Sequence, residues 1–96
     1  MNQITVEQLS DDQKKKLKIP SVPQNISGWA VWECAPSTFD WHYDSPEKAY
    51  LYEGQVKVKT KDGDVTFGAG DFVTFPQGLS CSWQVLKHVR KVYRFN

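Results

Sequence analysis

From residue 55 onward the chain alternates with period two: Val56, Val58 and Thr60 are interleaved with Lys57, Lys59 and Lys61, and a second apolar run follows at 65–67. Successive strand side chains point to opposite faces, so this pattern predicts a hairpin with valines toward a core and lysines toward water. Asp62-Gly63 between the runs supplies the positive φ values of a tight two-residue turn. Similar runs recur along the chain. In 28–35, Trp29, Val31 and Glu33 share one face and Trp32 and Cys34 the other, with Pro36 ending the strand. In 39–44, Asp40, His42 and Asp44 alternate with Phe39, Trp41 and Tyr43, one face ionisable and the other aromatic. Ser45-Pro46 interrupts this strand, and the turn lets Glu47 rejoin the polar face, followed by a strand at 49–53 closed by Gly54. Further strands are expected at 71–75, ended by Pro76-Gln77-Gly78, and at 79–86 and 89–95, joined near Lys87-His88.

The N-terminal part reads differently. An extended start near Ile4 leads into a short helix, for which Ser10 and Gln13 form a capping box, Asp11 and Asp12 suit the positive N-terminal end, and Lys14, Lys15, Lys16 and Lys18 the C-terminal end. Pro20 and Pro23 then impose extended backbone. The pattern predicts an N-terminal extension, 1–27, carrying the helix, and a single domain, 28–96, of short strands. Turns every six to twelve residues argue an all-β sandwich or barrel with no linker and no internal repeat.

Composition narrows the function classes. A chain of 96 residues buries about two thirds of its unfolded surface, enough for one core without staples. No apolar run approaches the roughly 20 residues a bilayer requires, and the polar N-terminus has no signal-peptide pattern, so the expectation is a soluble, cytoplasmic protein without a membrane partner. A net charge of +1 gives no field for nucleic acid. Two of the helix lysines fall in i,i+4 pairs, Asp11 with Lys15 and Asp12 with Lys16, as on a solvated face. Cys34 and Cys81 are far apart in sequence and form no CxxC pair, so reduced thiols are expected.

The spacing Asp40-x-His42-x4-Glu47-x6-Gly54 resembles the first cupin motif with its leading histidine replaced by aspartate. Gly70-x5-Pro76-x-Gly78-x2-Cys81 resembles the second, with Cys81 at the histidine position and Val85 at the usual asparagine. Trp29, the WECAP run at 32–36, Phe39-x-Trp41, GDFVTFPQGLSCSW at 70–83 and VRKVY at 89–93 are similar to the small single-domain cupins of the ureidoglycine aminohydrolase cupin-domain class, the third cupin group or DUF861. The resemblance implies a cupin-type (RmlC-like) jelly-roll barrel, commonly dimeric, with an internal cavity. It also implies that the motif positions His42, Glu47 and Cys81, with Asp40 as a fourth, face one divalent ion. Zinc, iron or manganese is the candidate, although replacing two of three imidazoles alters the site's charge and softness.

Each candidate has a plainer alternative. His42 can hydrogen-bond Asp40 or Glu47, Asp44 can cap a turn, and Cys81 can fill the space of an imidazole as a buried thiol. Asp71 suits a turn, and His88 an exposed loop. Alternation from Cys81 places Trp83 and Val85 on its face, and Lys91 lies with Val89 and Tyr93; an inward Lys91 would give the pocket a cation for a carboxylate, an outward one would snorkel at the rim. The cavity set is therefore Asp40, His42, Glu47, Cys81, Trp83 and Lys91. Three functions follow: a barrel binding a small polar molecule, with no activity legible; a metal-dependent enzyme acting on an amide, ureido or carboxylate compound; and a scaffold using an outer aromatic face, with a homodimer expected.

Overall fold

The computed structural model describes residues 4–95, and along them run β1 (Thr5–Glu7), α1 (Asp11–Lys16), β2 (Ala30–Cys34), β3 (Ser37–His42), β4 (Glu47–Thr60), β5 (Gly63–Gly68), β6 (Phe72–Phe75) and β7 (Ser80–Phe95). All pairings are antiparallel, in the order β1-β6-β4-β7-β2, with β3 on β7 and β5 on β4. Two long strands organise this barrel. β7 pairs with β3 through its first half and with β2 through its second, and β4 runs beside it along most of its length. Among the described residues no helix is long and apolar enough to cross a membrane.

The sequence pattern breaks each long strand into two, at Gly54 and at Lys87-His88; the structure carries both strands through. The β4–β7 register shifts between Leu51 and Val56, and these bulges bend the pair without ending it. Gly54 sits in the bend at φ +106°, where a Cβ would lie 2.5 Å from the His88 carbonyl oxygen. Only a residue without a side chain permits that approach. The hairpin turn also differs. Thr60 pairs with Gly63, so the loop is Lys61-Asp62, and the positive φ falls on Gly63 and not on Asp62. The Thr60 hydroxyl donates to the Gly63 carbonyl and accepts from the Asp62 N–H, which holds the turn without a left-handed aspartate.

The sheet is buried on both faces, which explains why Ala49, Tyr50 and Leu51 are all buried in succession. Inside the barrel, Tyr43, Ala49, Leu51, Val56, Val58, Phe67, Val73, Phe75, Cys81, Trp83, Val85 and Val89 form the main core. On the outside, Trp29, Tyr50, Phe72 and Val92 form a second core under Leu9, Leu17 and Ile19 of the N-terminal segment. The segment is tied down at specific points. The predicted capping box is present, Trp29 Nε1 donates to the Leu17 carbonyl at 3.1 Å, and the Tyr52 hydroxyl donates to the Pro20 carbonyl. β1 then joins the sheet beside β6.

Candidate functional site

Register decides what the barrel presents inside. Opposite residues of an antiparallel pair share a face, and Phe39 lies opposite Trp83, Trp41 opposite Cys81, and Ser37 opposite Val85. The face of β7 that carries Cys81, Trp83 and Val85 is buried, so Phe39, Trp41 and Tyr43 are the inward residues of their strand. Asp40 and His42, opposite Ser82 and Ser80, point outward. This reverses the face expected from the motif spacing. Turning an aromatic face inward removes far more apolar area from water than turning a carboxylate and an imidazole inward, and a displacement of one residue exchanges the two faces.

The result is a cavity of about 220 Å³ lined by Trp32, Phe39, Trp41, Tyr43, Glu47, Trp83, Lys91, Tyr93 and Phe95. Its walls are packed rings: Phe39 stacks on Trp83 at 6.0 Å between centroids, Trp32 meets Trp83 edge-on at 5.8 Å, and Tyr43 stacks on Phe75 at 4.7 Å. Trp83 Nε1 donates to the Tyr43 hydroxyl oxygen at 3.2 Å, so the indole N–H has a buried partner. Burial holds the Tyr43 phenol well above its ordinary value, with the Glu47 charge acting in the same direction, so it is a neutral donor.

In this aromatic box lies one ion pair. Glu47 opens β4 and shares its inward face with Ala49 and Leu51, while Lys91 of β7 stands opposite Leu51 and Trp32. Lys91 Nζ donates to Glu47 Oε2 at 3.1 Å, and each side chain is only 6% exposed. The ammonium also lies 4.7 Å from the Trp83 ring, 4.8 Å from Trp32 and 5.6 Å from Tyr93. Ring faces are negative, so the cage supports the cation. Burial lowers the lysine's pKa and the Glu47 carboxylate pushes back against that shift.

Of the residues expected to meet in the cavity, Glu47, Trp83 and Lys91 do so; Lys91 is buried and does not snorkel. Asp40, His42 and Cys81 are not among its lining. His42 is 54% exposed, with Nδ1 at 2.7 Å from Ser80 Oγ and Nε2 at 3.6 Å from Asp44 Oδ1, so its contacts are neither Asp40 nor Glu47. His42 and Asp44 border a second depression of about 140 Å³ beside the mouth, shared with Trp41, Tyr43, Ser45 and Phe95. Cys81 packs in the core with its thiol toward the Trp41 carbonyl at 3.7 Å, and burial, with the charge of Asp40, pushes its pKa up to about 11. Asp71 is a turn residue, accepting from the Gly68 N–H at 2.8 Å, and the exposed His88 reaches Glu33 at 3.2 Å from within β7 rather than from a loop.

These placements do not fit the metal site that the motif resemblance implies. Among the described residues no group of three or more His, Cys, Asp or Glu side chains is positioned to hold an ion. Glu47 is committed to an ammonium, and the Cys81 thiol lies toward the Trp41 carbonyl and does not line the cavity that Glu47 borders. Trp32, Phe39, Trp41, Tyr43, Tyr93 and Phe95 are the lining residues absent from the expected set. Their signal was the aromatic alternation in 39–43 and the opposite-face pair Trp32 and Cys34.

The family model for the EutQ-like cupin domain matches residues 23–93. A DUF861 family protein from Thermotoga maritima superposes with a TM-score of 0.85 at 39% identity, covering 98% of this chain and 100% of that one. The EutQ protein of Clostridium difficile superposes with a TM-score of 0.63 at 19% identity, covering 94% of this chain and 64% of that one. A DUF861 family protein from Pseudomonas syringae gives 0.64 at 25% identity, with 94% and 43% covered. No curated protein matches the sequence.

Proposed function

Because the chain belongs to the EutQ-like cupin domain family, with a barrel whose interior here is an aromatic box, we propose that it binds one small molecule with a flat apolar body and a carboxylate or carbonyl oxygen. The observation that carries this is the Lys91 ammonium at the cavity wall. It has three donor hydrogens and Glu47 accepts one, which leaves donors for an acceptor atom of the ligand. Tyr43 adds another: its oxygen accepts from Trp83, which leaves its own hydroxyl hydrogen to donate to a ligand. A flat body would stack between the rings, as ligand pockets combine apolar walls with a few convergent polar groups. This is a binding function that needs no resident metal.

Benzoate titrated by calorimetry and tryptophan fluorescence is the direct test. Saturable one-site binding is expected, weakened roughly tenfold or more in Lys91→Met because a charge-assisted hydrogen bond is lost. Affinity unchanged in a folded Lys91→Met protein would refute the assignment. A second reading, the barrel mouth as a contact with another copy of the chain, is favoured by Trp41 and Phe95, which are 49% and 56% exposed there. Sedimentation that shows a dimer in wild type and monomer in Trp41→Ser would support it; identical mass in both would remove it.

A further inference from the structure

We propose that Lys91 captures carbonyl compounds covalently: its Nζ condenses with an aromatic aldehyde held in the cavity to form an imine, with Glu47 carrying the proton. The inference rests on the cavity being a small-molecule site and names the reacting class for that site.

Four features converge. Nζ is at the wall of a cavity of about 220 Å³ and not on the surface, so a carbonyl carbon can be presented to it by stacking of the attached ring on Phe39 or Trp83. Glu47 Oε2 is 3.1 Å away, within direct proton-transfer distance. Tyr43 lines the same space, and its hydroxyl hydrogen is available to donate to the carbonyl oxygen. Finally, burial lowers the lysine's pKa even against the pull of Glu47, and a desolvated lysine reaches the nucleophilic neutral form more readily than an exposed one.

The step balances without an oxidant or reductant. Glu47 takes one proton from the ammonium, and the nitrogen lone pair forms a bond to the carbonyl carbon. The carbonyl π pair moves to oxygen, and the second proton of the nitrogen passes to that oxygen to give a neutral carbinolamine. Glu47 returns a proton to the hydroxyl, the C–O bond breaks, and water leaves as the nitrogen pair forms C=N. Ammonium and aldehyde give a protonated imine and one water, so the chain's net charge is unchanged and the iminium takes the ammonium's place opposite the Glu47 carboxylate.

The test uses the full chain at neutral pH with benzaldehyde and sodium cyanoborohydride, which reduces any imine to a stable benzylamine. Intact mass and peptide mapping locate the adduct, and benzoate calorimetry is run alongside. We expect one benzyl group per chain, on Lys91, forming roughly tenfold or more faster than on exposed lysines such as Lys59 and Lys61, suppressed by excess benzoate and absent in Lys91→Arg. Glu47→Gln should shift the pH dependence of labelling downward, because the amine loses its counter-charge, and lower its maximal rate, because the proton carrier is gone, while leaving labelling of Lys59 unchanged. Benzoate binding with no preference for Lys91 overturns the covalent step and leaves the binding site standing. Absence of both benzoate binding and Lys91 labelling overturns both. If Lys91→Arg does not fold, the map of the wild-type adduct and its competition by benzoate decide alone.

Discussion

Removing either member of the Glu47–Lys91 pair should cost more than removing both. At 3.1 Å the two charges attract by about 5 kcal/mol at an effective dielectric constant near 20, while each has given up its hydration. Breaking a buried pair from one side therefore costs about 3–5 kcal/mol, and replacing both members with neutral groups of similar volume is often close to neutral. The aromatic box makes the two single losses unequal. In Glu47→Gln the stranded ammonium keeps the faces of Trp32 and Trp83 within 5 Å and can shed its proton. In Lys91→Met the stranded carboxylate faces the negative side of the same rings. Urea unfolding at pH 7 should give losses of about 3 kcal/mol for Glu47→Gln, about 4 for Lys91→Met, and about 2 for the double variant, a coupling of about 5 kcal/mol. For a domain of this size each kcal/mol shifts Tm by about 4–8 °C, so the variants are separable by melting as well.

The pH dependence gives a second reading of the same pair. A lysine whose folded pKa lies below its unfolded value of 10.5 has shed its proton in the native state while the unfolded chain still holds one. In that window the unfolded state binds more protons, and stability rises with pH. Loss of Glu47 removes the group that opposes the depression, so Glu47→Gln should gain stability from pH 7 to 9 more steeply than wild type. Additive single losses, or the order Glu47→Gln worse than Lys91→Met, would refute the account of a caged cation with one counter-charge.

Other outcomes follow from the same geometry. Gly54→Ala should lose about 3 kcal/mol or more by denaturation, since its Cβ meets backbone at 2.5 and 2.8 Å and φ is +106°, whereas Gly63→Ala, with open space around it, should lose about 1–2. Cys81 should resist iodoacetamide at pH 8 in the native protein and react once urea unfolds it. Because its pKa is raised from 9.0 to about 11, the stability it contributes is complete below pH 9 and lost as pH rises through about 11, a loss that Cys81→Ala should not show. Asp40→Asn and His42→Ala should each change stability by under about 0.5 kcal/mol and leave melting with or without added zinc or manganese unchanged; stoichiometric metal lost in His42→Ala would restore a metal site.

Local devices were legible in the sequence because local residues alone determine them. The Ser10 and Gln13 cap and the valine–lysine alternation of the hairpin need no distant partner. The cupin framework was legible for a related reason: Gly54, Gly70, Pro76 and Gly78 mark bends at fixed intervals, and bends survive changes in the residues between them. What failed was the face of β3. Motif spacing set Asp40 and His42 inward, while the plain transfer energy of Phe39, Trp41 and Tyr43 pointed the other way and prevailed. The continuity of β4 was hidden because a glycine in a bulge and a glycine in a turn read alike until the partner strand is known, and that of β7 because the polar Lys87-His88 pair interrupts its apolar alternation. Lys91 shows the remaining limit. Its face followed from alternation, but its burial depended on Glu47, 44 positions earlier, arriving at the same point across the barrel.

The second core on the outer face of the sheet bears on how the protein can be handled. The family match begins at residue 23, but Leu9, Leu17 and Ile19 shield Trp29, Tyr50, Phe72 and Val92 from before that boundary. A gene trimmed to the match would still encode the cavity and its ion pair, yet would display a bare aromatic plate along the β6–β4–β7–β2 surface, with the free edge of β6 beside it. Such a fragment would be prone to precipitate at concentrations the intact chain tolerates. Expression tags and fusions therefore belong where they leave β1 seated, and insolubility of a shortened version would report the missing cover and not a defect in the pocket.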